Sequence, residues 1–403
     1  MEEQEKIKEF LNPKTIALIG ASNNPGKVGN ILMKKLKKFK GETIPINIKE
    51  PFIVNIKSYK SILKYPEKID LAIIAIPAKF VIKILKQCGR KKIKNIIIIS
   101  AGFAEQKNYK LENRLNQIKN KYHLNILGPN CFGIFNPKLK LDTTFSNITP
   151  KKGSIAFISQ SGALWSYLAD LNLGFSGFVS LGNMSDLTFS DFIEYFNKDK
   201  STKKIILYIE KLKKGKEFIQ VCKNSKKEII VVKAGKTQQG LRATISHTAS
   251  LATNFEIYKG IFSQANVKIA DSIENALHLK KSNLFSKIKG KKILVITNAG
   301  GAGALLIDKL SQKKFESNKV IDILGTAKAI DYNKVLEKIK EEYEKIILIL
   351  TPQAMSEPEQ TAEAIITSLH KNKIIALFLG NKSIKSSVKL LKNQKVPAFI
   401  GGI

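Results

Sequence analysis

Short apolar runs that end in polar or glycine-bearing turns recur along this chain, and they constrain its fold more than any other feature. Thr15-Ile-Ala-Leu-Ile-Gly20, Ile44–Ile48, Leu71–Ile76, Asn95–Ile99 and Leu124–Leu127 form a first series. A second comprises Gly153–Ser159, Lys204–Ile209, Ile229–Val232 and Val267–Ala270, and a third Lys291–Thr297, Ile346–Leu350 and Ile374–Leu379. Each reads as a buried strand. Helical patterns lie between them. Buried strands alternating with helices imply parallel, doubly wound sheets. Ligands bind such sheets beyond the carboxyl ends of the strands. The turns that follow each run are therefore where chemistry is expected.

A chain of 403 residues accommodates two to four domains. The three series divide it into residues 1–145, 146–288 and 289–403. Residues 138–152 lack periodicity, carry Thr, Asn and Pro, and read as a linker. The chain reaches Pro397-Ala-Phe-Ile-Gly-Gly-Ile403 with no closing helix, which predicts a shortened third domain or a fragment of something longer.

Composition removes several function classes. The net charge of +35 is almost all Lys, with Arg only at Arg90, Arg114 and Arg242. The Lys residues are spread over the chain and not interleaved with aromatic residues, so no nucleic-acid partner is expected. No apolar run is long enough to span a bilayer. The start, Met1-Glu-Glu-Gln-Glu-Lys, is polar and unlike a secretory signal. Cys88, Cys131 and Cys222 are too dispersed for a disulfide framework or a metal site. A cytoplasmic protein with neither a metal nor a membrane attachment is expected.

The first glycine-rich turn, Gly20-Ala-Ser22-Asn-Asn-Pro25-Gly26-Lys27-Val-Gly29, places backbone N–H groups and Lys27 at a helix start, which suits a phosphate or pyrophosphate. It is not a strict dinucleotide fingerprint, and Glu50 is the one candidate acid for a nicotinamide ribose. Ala75-Ile76-Pro77-Ala78, Ser100-Ala101-Gly102-Phe103-Ala104-Glu105 and Gly128-Pro129-Asn130-Cys131 open on the same edge, the last presenting Asn130 and Cys131. Plain turn chemistry would also account for each.

In the second series, Ser159-Gln160-Ser161-Gly162 forms a helix-start anion site, and the next strand ends in Glu210. The third runs into Lys233-Ala-Gly-Lys-Thr-Gln-Gln-Gly240-Leu-Arg242-Ala-Thr-Ile-Ser246-His247-Thr248-Ala-Ser250-Leu251, read as a long loop. His247 sits between two hydroxyl residues. A neutral imidazole attacks phosphorus and leaves well once protonated, so His247 is expected to carry a phosphoryl group. A solvated loop histidine is the plain alternative. Thr297–Gly303 is a further anion-friendly helix start.

Together these stretches resemble the α-subunit of the ADP-forming acetyl-CoA synthetases, in the succinyl-CoA synthetase superfamily. The resemblance rests on the Gly20–Gly29, Ile76–Ala78, Ser100–Glu105 and Gly128–Cys131 turns. It also rests on Ile158-Ser-Gln-Ser-Gly162, Phe178-Val-Ser-Leu-Gly-Asn183, Tyr208-Ile-Glu210, the Lys233, Gly235, Gly240, Ser246-His247-Thr248 block, Thr297–Gly301 and Leu350–Met355. It implies a Rossmann-like CoA-binding domain followed by two flavodoxin-like domains. Coenzyme A is then a substrate, met by Gly20, Ser22, Pro25, Gly26, Lys27, Ile76, Pro77, Ala78, Ser100, Ala101, Gly102 and Asn130. Acyl-CoA and phosphate give an acyl phosphate, whose phosphoryl group passes to His247 and then to ADP. Glu210 would orient the histidine, and Ser161 and Gly162 would cradle the phosphate. The nucleotide module of that family, an ATP-grasp fold binding Mg²⁺ and ADP or ATP, has no counterpart here, so either a separate β-subunit, the expected partner, supplies it, or it was fused downstream and lost. A CoA- or nucleotide-responsive binding protein without catalysis is the alternative. Ala249, Thr253 and Ala302 stand where the family usually has Gly, Gly and Pro.

Overall fold

Three parallel arrays are built in one strand order. The computed structural model describes residues 2–248, 254–280, 282–288 and 290–402, and their side chains except those of 2–6, 245–248 and 316–318. The first sheet runs Glu42–Ile46, Thr15–Ile19, Leu71–Ile74, Asn95–Ile98, Asn125–Leu127, every neighbour parallel. The third runs Glu316–Asp322, Lys292–Thr297, Lys345–Leu350, Ile374–Phe378, Ala398–Ile400, again all parallel. The parallel part of the second runs Gly174–Ser180, Lys151–Ser159, Lys204–Ile209, Glu228–Lys233, Lys268–Ala270. In each, the chain leaves the first strand to one side, then returns to build the rest on the other. The crevice opened by that reversal lies beyond the first and third strands of the series.

The second sheet departs from the expected purely parallel form. Ile134–Asn136 and Leu141–Asp142 join it antiparallel, beside Gly174–Ser180. The supposed linker 138–152 is thus largely structured: it holds the Leu141–Asp142 strand, a bridge from Ser146 to Gln353, and the start of the Lys151–Ser159 strand. Strands of two and three residues carry too little pattern to be read from sequence. The Gly174–Ser180 and Glu316–Asp322 strands were also not legible, since their first residues are polar or Gly.

The strands are apolar because they are covered on both faces. Trp165 lies flat on Phe178, with ring centroids 4.2 Å apart, and packs edge-on against Phe175. This fixes the Ala163–Asp170 helix, whose start at Gly162 faces the second crevice. Burying an aromatic of this size contributes roughly 2–3 kcal/mol. Buried and half-buried carboxylates lock the sheets to one another. Asp142 pairs with Lys35 at 2.8 Å. Asp186 takes the Ile126 N–H at 3.0 Å, and Asp170 takes those of Asn381 and Ser383 at 2.7 and 3.1 Å. Among the described residues no helix is long and apolar enough to cross a membrane.

Candidate functional site

The first crevice lies between the Gly20 and Ala75 turns. Gly20 has φ +94°, and a Cβ there would sit 2.3 Å from the Ala75 carbonyl oxygen. A Cβ on Gly29 would lie 1.9 Å from the Gly20 oxygen, so the turn and its helix touch backbone to backbone. Asn23 to Lys27 are exposed, Pro25 and Gly26 among them. The Val28–Leu36 helix starts after Lys27 with no side chain capping it. The outward side of this helix start, with its unsatisfied N–H groups and a lysine, is suited to an anion. Ser22 is buried; its hydroxyl accepts the Asn24 N–H at 3.1 Å and so shapes the turn. Glu50 accepts a hydrogen bond from the Asn23 amide.

The neighbouring strand ends close the same crevice. Ile76 and Ala78 are half-buried and Pro77 is exposed. The Ser100 hydroxyl donates to the Ile76 carbonyl at 2.5 Å, tying two strand ends together. Ala101 is exposed, and Gly102 (φ +111°) lies against Ala78, whose Cβ a side chain at 102 would meet at 3.1 Å. Asn130 is exposed with φ 56°. Cys131, expected beside it on the edge, is buried instead. Its thiol donates to the Ile98 carbonyl at 3.2 Å, and burial pushes its pKa up to about 12. It is not a nucleophile at neutral pH.

The second crevice gathers Ser161, Gly162 and Glu210. The Ser159 hydroxyl accepts the Ser161 N–H at 3.1 Å and donates to its carbonyl at 2.7 Å, forcing the tight turn. A Cβ on Gly162 would strike Phe132 at 2.4 Å. Gln160 accepts the Glu210 and Lys211 N–H groups at 2.6 and 2.8 Å, joining the two strand ends. The Tyr208 hydroxyl, fully buried, donates towards Glu210 at 3.2 Å and also lies 3.1 Å from the Gly301 carbonyl. Burial and the Glu210 charge push its pKa well above the usual value. Lys233 ends the next strand inside the protein, donating to the Glu210 carbonyl at 2.9 Å and to that of Ala234, with its ammonium 4.4 Å from the Tyr258 ring centroid. Burial lowers its pKa to about 8, with Asp308 and Glu210 opposing.

His247 is not in a loop. It lies near the end of a helix, Gln238–Thr248, whose residues 245–248 have no described side chains; Ala249 and Thr253 lie outside the described residues. This helix packs on the third-sheet helix Gly300–Gln312 and approaches the first-sheet turn Ala104–Gln106. The third sheet therefore borders the second crevice. A Cβ on Gly301 would lie 2.6 Å from Ser161 and 2.9 Å from the Tyr208 hydroxyl. Gln160, Tyr208, Lys233, Gly301 and Asp308 escaped the sequence reading as site residues. A lysine closing an apolar strand and an aspartate within Ala304-Leu-Leu-Ile-Asp-Lys-Leu310 were the available signals.

Residues 14–137 match the family described as CoA binding domain, and residues 152–282 the one described as succinyl-CoA ligase like flavodoxin domain. These two define a chain that combines a CoA-binding module with a succinyl-CoA-ligase-like module. The acetate–CoA ligase [ADP-forming] II subunit alpha of Pyrococcus furiosus is 36% identical over 97% of this chain and 93% of its own length. The acetate–CoA ligase [ADP-forming] I of Archaeoglobus fulgidus is 38% identical over 98% of this chain, which spans 61% of that protein. The acetyl-coenzyme A synthetase 1 of Ca. Korarchaeum cryptofilum, solved in complex with phosphate and ADP, superposes with TM-score 0.65 at 30% identity, covering 98% of this chain and 93% of that one. The chain belongs to the family of ADP-forming acetate–CoA ligase α subunits.

Proposed function

We propose that the chain is the α subunit of an acyl-CoA synthetase that conserves the thioester's energy as ATP. Coenzyme A lies at the first crevice, its phosphates on the Gly20–Gly29 turn, with Lys27 offsetting their charge and the Ile76–Ala78, Ser100–Gly102 and Asn130 turns lining the rest. Inorganic phosphate attacks the thioester carbonyl, the C–S bond breaks, and CoA departs, leaving an acyl phosphate. A nitrogen of His247 then attacks phosphorus, and the P–O bond to the acyl oxygen breaks, releasing the carboxylate. ADP takes the phosphoryl group from the histidine on an ATP-grasp β-subunit, which also supplies Mg²⁺.

Glu210 orients the imidazole: a carboxylate that accepts one ring N–H leaves the other nitrogen's lone pair free to attack and stabilises the cationic ring afterwards. The observation that carries this reading is Glu210 itself. It stands at the switch point of the second sheet, its N–H held by Gln160 and its side chain approached by the buried Tyr208 hydroxyl, beside the Ser161–Gly162 helix start. That start, with its N–H groups, suits a dianionic phosphate.

The test is phosphoryl transfer in reverse. The chain in complex with its ATP-grasp subunit is mixed with γ-labelled ATP and Mg²⁺, then treated with acid or base. Label that survives base, is lost in acid and is absent from His247→Ala is expected. Equal labelling of His247→Ala refutes the phosphohistidine, and CoA binding without any labelled protein favours the binding-protein reading.

A further inference from the structure

Gly235, Lys236 and Thr237 turn their backbone N–H groups inward on one point. In a glycine-lysine-threonine turn after a strand, such converging N–H groups ordinarily make a nest for a phosphate. Here the nest is filled from within the protein. Asp308, buried in the third-sheet helix Gly300–Gln312, accepts the Gly235 and Lys236 N–H groups on one oxygen at 2.7 and 3.0 Å. Its other oxygen accepts the Thr237 N–H at 2.8 Å and the Thr237 hydroxyl at 2.9 Å. Gly235 is in the left-handed region, φ +76°, which the wrap requires. Gly240 leaves room for the carboxylate, since a Cβ there would lie 1.9 Å from it. One turn further along the same two helices, the Ser311 hydroxyl donates to the Gln239 side chain at 2.6 Å.

We infer that Asp308 is a positioning residue for the phosphoryl-carrying histidine: the third sheet grips the near end of the helix whose far end bears His247. The inference rests on the phosphohistidine reading above. His247 lies ten residues beyond Thr237, roughly 15 Å along a helix. A tilt of about 4° at the grip displaces it by about 1 Å, and misplacement of that size costs on the order of 100-fold in rate. The grip is ionic in character: three N–H dipoles and a hydroxyl face one carboxylate away from water, and a neutral group cannot satisfy them all. It also gives the third sheet a task in the reaction.

The complex with the ATP-grasp subunit is labelled with γ-labelled ATP, comparing wild type with Asp308→Ala. The variant is expected to label roughly 10- to 100-fold more slowly. Added formate, which supplies a carboxylate to the emptied nest, restores labelling several-fold; formamide, equal in size but uncharged, does not. Labelling at the wild-type rate, or slow labelling on which formate has no effect, overturns the inference. If Asp308→Ala does not fold, Thr237→Val removes one donor and should slow labelling about 2- to 5-fold, and an unchanged rate is then the contrary result. A wild type that never labels strikes the phosphohistidine reading instead. Hydrogen exchange decides the grip separately: in the variant the amides of 235–248 exchange faster while those of Glu228–Lys233 do not, and unchanged exchange across 235–248 overturns it.

Discussion

The chain contains two glycine-rich turns of similar composition at similar places, and they serve opposite ends. Gly20–Gly29 and Gly235–Gly240 each follow a buried strand, run into the first turn of a helix, and offer glycine, lysine and hydroxyl groups. In the first, Asn23 to Lys27 stay exposed, and the turn is shaped by its own side chains, with Ser22 and Asn24 taking N–H groups two residues on. In the second, every N–H from Gly235 to Thr237 ends on Asp308. The first turn stays open, as the proposed CoA site requires; the second is a joint between sheets. What separates them is not in either turn but in what the rest of the chain brings to it.

Substitutions at the glycines should break that comparison in a graded way. Gly29→Ala meets the Gly20 carbonyl at 1.9 Å, a backbone atom that cannot turn aside. It should destabilise the protein by about 3–5 kcal/mol in denaturant melts and abolish CoA binding. Lys233 comes next. Its pKa falls from 10.5 to about 8 on folding. Between these values the unfolded chain holds a proton that the folded chain has released, so stability rises with pH there, and the penalty for burying the charge is fully felt only below that window. Lys233→Met removes this rise. The stability of wild type relative to the variant should climb by about 3 kcal/mol from pH 8 to 10.5, whatever the constant offset, and a flat difference contradicts the buried charge.

Gly240→Ala presses on a carboxylate held by four hydrogen bonds, and should cost about 1–3 kcal/mol. Gly26→Ala, whose Cβ would approach only the Asn24 side chain at 3.7 Å, should change stability by no more than about 0.5 kcal/mol. An inverted ranking of Gly240 and Gly26 would mean that the second turn is not filled as described.

Much of this architecture was legible in the sequence because it is repeated. Buried parallel strands are continuous apolar runs, and their carboxyl ends mark where ligands can sit, so Gly20–Lys27, Ile76–Ala78, Ser161–Gly162 and Glu210 could be named as candidates from the chain alone. What was not legible depends on contacts between distant segments. Cys131 follows an exposed asparagine, yet packing turns its thiol inward. The 233–248 segment reads as a loop because it is polar and glycine-bearing, but Asp308 satisfies its N–H groups and lets a helix begin at Gln238. The third sheet reads as a remote helper. Gly301 against Ser161 and Tyr208 brings it to the edge of the site, and only the fold could reveal that.

The difference between the two turns is most directly tested by calorimetric titration of the full chain with CoA, repeated with the Lys27→Ala and Asp308→Ala variants. One CoA site is expected in wild type, weakened about 10-fold or more by Lys27→Ala through loss of a charge at the phosphates, and unchanged in Asp308→Ala. CoA affinity that ignores Lys27 but collapses without Asp308, or tight NAD binding in place of CoA, would contradict it.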